Sequence, residues 1–340
     1  MQRSFCGRYG LTFLAGCVLV LTTSAALAQS YTRTNLDSDL KGKAKHQDTL
    51  LKNAWGMAYG PGGPFWISDE ATGWTTLYDA MGNIQSLKAT IPPASGTGPG
   101  SPTGMVYNGS SEFKIRNWTS LFLFSTLDGT ISGWSSFDPS TALIGVTKTG
   151  AVYTGLAITS KSSGNTLFAA NAATNMVDIY DANFKFVKSF TDTTIPAGFS
   201  VFGIQDIGGK LYVSYVSSTG GAGGYIDIFG EDGTFVKRLA HGKPLNQPWG
   251  FAVAPSNFGP LSGTLLVSNN TSGGTINGFN LTTGKFVGAI VNAAKKPIVI
   301  PGLWGIEFGG GSSANGNTNQ LFFASGPSDT DGYFGVINFK

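Results

Sequence analysis

Cysteine is almost missing from this chain. The only two, Cys6 and Cys17, lie among the first 17 of 340 residues. Residues 29–340 therefore have no disulfide framework, thiol nucleophile or cysteine zinc site. Histidine is equally scarce. His46 and His241 are the only two, each among polar residues, and both read as solvent-exposed loop positions. No Ser-His-Asp order, nucleophile elbow or phosphate-cradling loop is present. Charged residues make up 12%, about half the usual share. The one basic cluster, Lys41, Lys43 and Lys45, reads as a solvated loop. Nucleic acid is accordingly not an expected partner.

Long apolar runs are lacking beyond the N-terminus. Arg3 and Arg8 precede an apolar stretch from Leu11 to Leu21, and Ala26-Leu27-Ala28 stands before Gln29. This pattern predicts a signal peptide over 1–28 and a secreted or periplasmic chain over 29–340. A second reading makes Leu14-Ala15-Gly16-Cys17 a lipoprotein box, with anchoring through Cys17. Thr22-Thr23-Ser24 interrupts the stretch before spanning length, so no membrane span is expected after cleavage. Without Arg3 and Arg8, 20 basic residues face 19 acidic ones.

Glycine is plentiful, 49 of 340 and about twice the average. Some of it recurs on a period. A bulky residue or Thr, then Gly, then an apolar residue appears at Trp55-Gly56-Met57, Thr103-Gly104-Met105, Thr154-Gly155-Leu156, Phe202-Gly203-Ile204, Trp249-Gly250-Phe251 and Trp304-Gly305-Ile306. The glycines are 48, 51, 48, 47 and 55 residues apart. Each unit continues with a second apolar strand, such as Phe65–Ser68 or Leu265–Ser268, and a third, such as Val177–Tyr180. A polar turn like Glu231-Asp232-Gly233-Thr234 then leads to an outer strand. Four short strands repeated six times predict an all-β, six-bladed β-propeller with four-stranded antiparallel blades. The sixth unit has only three strands before Lys340, and Tyr31 to Leu36 is expected to supply its fourth and close the ring. Ala94–Pro102 and Gly309–Asn319 read as slack surface loops.

The repeat resembles NHL-type and related six-bladed propellers over residues 29–340. The set Asn53–Ala58, Trp66–Asp69, Thr72-Gly73, Asp128–Trp134, Gln247–Gly250 and Gly302–Gly305 is similar to a family of exported bacterial propellers known as uncharacterised proteins. The resemblance implies the fold and implies no activity.

Two rings of residues are expected near one end of the central channel. The first is Trp55, Thr103, Thr154, Phe202, Trp249 and Trp304. Related propeller lactonases carry acidic and amide metal ligands near those positions. An aromatic ring offers no such oxygens; it either plugs the channel or stacks on a flat ligand. The second ring contains Asp69, Asn171 and Asn269, with Glu70 and Asp128 nearby. These would hold a turn, bind Ca2+ or act as acid and base. The expected function is a binding module for a small molecule, carbohydrate or protein, with Trp55, Trp249, Trp304, Asn171 and Asn269 as ligand-binding candidates. The alternative is a hydrolase or lyase using Asp69, Glu70 or Asp128.

Overall fold

The repeat glycine has a steric cause. A Cβ on Gly56, Gly104, Gly155, Gly203, Gly250 or Gly305 would stand 3.0 Å or less from the backbone of the next blade. Each innermost strand packs there against its neighbour, main chain to main chain. Gly305 meets Trp55 and so completes the circle. Only glycine permits that approach.

The computed structural model describes residues 1–2 and 29–340; the body of the expected signal peptide, including Cys17, lies outside them. Six antiparallel sheets surround one axis. Their inner strands are Ala54–Tyr59, Pro102–Tyr107, Tyr153–Ile158, Phe199–Asp206, Pro248–Val253 and Leu303–Phe308. Three further strands step outward in each blade, as in Leu167–Asn171, Met176–Tyr180 and Phe186–Phe190 of blade three, and blade six adds the short parallel strand His46–Gln47 at its rim. Alternating side chains fill the space between neighbouring blades, and the apolar core is a series of inter-blade clusters. Among the described residues no helix is long and apolar enough to cross a membrane.

Closure occurs where the repeat requires it. Tyr31–Ser38 pairs antiparallel with Asp331–Phe339, from Tyr31 opposite Phe339 to Ser38 opposite Tyr333. It is the fourth strand of blade six. Tyr31 and Leu36 are 2% and 1% exposed. The Tyr31 hydroxyl donates to the Phe258 carbonyl at 2.7 Å, fastening the strand to blade five.

The seam carries an unusual load of acid. Asp37 is fully buried, and neither carboxylate oxygen has a hydrogen-bond partner. Burial, reinforced by Asp48 and Asp79 and only partly offset by Lys45, pushes its carboxyl up to about 8. Asp69 is buried and unpartnered as well, and burial holds it well above the usual carboxylate range. Between them Tyr78 donates to Asp48 Oδ2 at 3.0 Å.

One expected loop is not slack. In Gly309–Asn319 the Asn315 side chain is fully buried. Its Oδ1 accepts from the Gly310 and Ser312 N–H groups at 3.2 and 3.1 Å and from the Ser312 hydroxyl at 2.8 Å.

Candidate functional site

Because each repeat glycine packs on the next blade, the residue before it meets the axis. Trp55, Trp249 and Trp304 cluster there, with Phe202 and Leu127 against them. Trp55 and Trp304 stack at 3.5 Å between ring centroids, and Trp249 meets Trp304 edge-on at 5.6 Å. All three are 7–8% exposed. The Trp249 indole reaches from blade five to blade three, where Nε1 donates to the Thr154 carbonyl at 2.9 Å. The Trp55 and Trp304 N–H groups are buried without partners. Thr103 and Thr154 each donate to the carbonyl of the following blade at 2.7 Å.

The second ring sits inside the blades. Asn171 accepts from the Val152 N–H at 3.2 Å and donates to Asp178 at 3.0 Å. Asn269 accepts from the Asn246 N–H at 3.0 Å and donates to the Pro244 carbonyl at 3.0 Å. Both fasten the segment that leads into their own blade's inner strand. Glu70 accepts from Asn53 Nδ2 at 2.7 Å. Asp128 is exposed and holds the Ala94 N–H and the Thr126 hydroxyl, each at 2.6 Å. Among the described residues no three His, Cys, Asp or Glu side chains are grouped to hold a metal ion.

The axial cavity lies past the tryptophans, toward the far ends of the inner strands. Its volume is about 250 Å3. The second residue after the repeat glycine makes much of its wall. That column reads Ala58, Val106, Ala157, Gln205, Ala252 and Glu307. All but Ala252 line the cavity, together with Tyr59, Tyr107, Ser160, Asp206 and Trp249. Ala58, Val106 and Ala157 are the small apolar members of that wall, and Gln205 and Glu307 its polar ones.

Glu307 is partly exposed, its side chain makes no hydrogen bond among the described residues, and its Oε2 is buried without a partner. Burial pushes its carboxyl up to about 8. Asp206 accepts from the Gly209 N–H at 3.1 Å, while its Oδ2 is buried and unpartnered. Burial raises this carboxyl too, with Glu231 adding to the effect. Tyr59 donates to the Phe308 carbonyl at 3.0 Å, and Gly310 of the Asn315-ordered loop approaches its ring. Gln205 and Glu307, in a column otherwise made of Ala and Val, are the sequence signal that marks this cavity. The acidic residues singled out beforehand lie at the tryptophan end instead.

Six four-stranded blades around a plugged axis define a six-bladed β-propeller with an axial cavity. No family model matches the chain. It is 32% identical over 327 residues to the uncharacterised protein R648 of Acanthamoeba polyphaga mimivirus, covering 89% of this chain and 78% of R648. With protein L690 of the same virus it shares 30% over 320 residues, covering 86% and 82%. The chain belongs to the family of these uncharacterised proteins. Its fold is similar to that of the gluconolactonase XC5397 of Xanthomonas campestris, with a TM-score of 0.55, 14% identity and coverage of 86% and 89%. That likeness concerns the fold alone. The relatives are viral and give no support to the bacterial origin that the resemblance implied.

Proposed function

We propose that this protein is an exported propeller that binds a small polar molecule in its axial cavity. The carrying observation is the cavity itself: about 250 Å3, walled by six inner strands, with Glu307 and Asp206 in its lining, each with one buried carboxyl oxygen that has no partner. Concave sites with a few convergent polar groups are the usual form of small-molecule sites. Trp249 forms part of the wall, whereas Trp55 and Trp304 cover each other and act through the plug. The leader-like N-terminus supports export. A catalytic reading rests on Glu307, which keeps its proton at neutral pH and is placed to act as a general acid in a hydrolase or lyase.

The test is ligand-observed NMR with a panel of sugars, amines and carboxylates, on wild type and on Ala157→Leu. The larger side chain takes up part of the cavity, whose wall Ala157 lines. Binding that Ala157→Leu abolishes, with an unchanged melting temperature, supports the reading. No binding, or binding that ignores the substitution, refutes it.

A further inference from the structure

We propose that the cavity's ligand is a compact organic cation, a small amine, quaternary ammonium or guanidinium, held by Glu307 against the rings of Tyr59, Tyr107 and Trp249. This deepens the axial-cavity reading and rests on it. The lining contains two carboxyl groups and no Lys, Arg or His. The nearest cation, Lys161, is paired with Glu231 beyond Asp206. Each of the two carboxyl groups keeps one buried oxygen without a partner. A buried carboxylate needs a positive partner or a proton, and among the described residues the Glu307 side chain has no positive partner. Three aromatic residues line the cavity, and aromatic faces attract cations in desolvated surroundings. An anionic ligand would meet only like charge. A neutral polyol would leave the carboxyl groups uncompensated once ionised.

Binding is therefore coupled to a proton. The titratable groups around Glu307 are Tyr59 from blade one, Tyr107 from blade two and Asp206 across the cavity, with Glu231 and Lys161 behind it. Tyr59 is pushed up to about 12 by burial and by Glu307, so it stays neutral. Glu307 keeps its proton up to about 8. A cation favours the ionised carboxylate, so binding displaces that proton. Affinity then rises with pH up to about 8 and levels off above.

The experiment is isothermal titration of choline, methylguanidine and benzylamine into the whole chain at pH 6 and pH 9. Methyl glucoside and acetate serve as neutral and anionic comparisons. For at least one cation the dissociation constant should fall ~100-fold from pH 6 to pH 9. Glu307→Gln, which keeps shape and loses charge, should flatten the profile and weaken binding at pH 9 at least ~10-fold. Binding of methyl glucoside alone would overturn the cation and leave the cavity reading standing. Cation binding unchanged in Glu307→Gln would overturn the role given to Glu307. Binding by none of the probes would overturn both readings.

Discussion

Replacing Asp37 by Asn should stabilise the ring at alkaline pH and leave it nearly unchanged in acid. In the folded protein the carboxyl keeps its proton up to about 8, because it is buried beside Asp48 and Asp79. In the unfolded chain it ionises near ~3.9. A group that holds its proton more tightly when folded costs stability as pH rises from the unfolded value to the folded one. Wild-type stability should therefore fall between about pH 4 and pH 8 and be flat above. Each tenfold change in proton affinity is worth ~1.4 kcal/mol, which sets a ceiling of ~6 kcal/mol over that interval. Water entry and relaxation of the seam bring the expected loss to ~2 kcal/mol. Asn has the same outline and no proton to lose. Urea unfolding followed by tryptophan fluorescence at pH 5 and pH 9 measures both proteins. Asp69 and Glu307 also depress wild-type stability in alkali, so the difference between the two proteins is the quantity to read. The variant should gain ~2 kcal/mol on wild type between the two pH values. An equal gap at both would refute the reasoning and place the Asp37 proton elsewhere.

Two further outcomes test the architecture. Deleting residues 29–40 removes buried Tyr31 and Leu36 and should cost ~5 kcal/mol, a fall of ~10 °C in Tm by calorimetry; an unmoved Tm would mean the ring does not need its closing strand. Gly203→Ala places a methyl group against the Trp249 backbone and should cost ~2 kcal/mol in denaturant titration, whereas an unchanged midpoint would show that neighbouring blades give way at the axis.

The architecture was readable because one steric demand repeats. A glycine that touches the next blade must recur once per blade, so the period survives divergence elsewhere. The closing strand was readable by subtraction, since the sixth unit lacked an outer strand and Tyr31 to Leu36 had the right pattern. The cavity was not readable in the same way. Its wall takes a few residues from each inner strand, and Glu307 stands out only after the strands are aligned on their glycines. Asp69, Asn171 and Asn269 drew attention because turn-holding and ligand-holding use the same side chains, and only the partners tell them apart. Gly309–Asn319 has the composition of a slack segment, yet one buried Asn gives it a fixed shape.

The seam also fixes an order of events. Thr32 and Asn338 are hydrogen-bonding neighbours 306 residues apart in sequence. During synthesis the strand that emerges first must wait for the whole ring to be made before its partner exists. Until then blade six has a bare edge, Tyr31 and Leu36 lie open to solvent, and the nascent chain offers an apolar strand to any passing sheet. Contacts this distant along the chain also make for slow folding. The last step of assembly thus belongs to the strand of the ring that is made earliest, and a chaperone that held this segment would govern when the ring shuts.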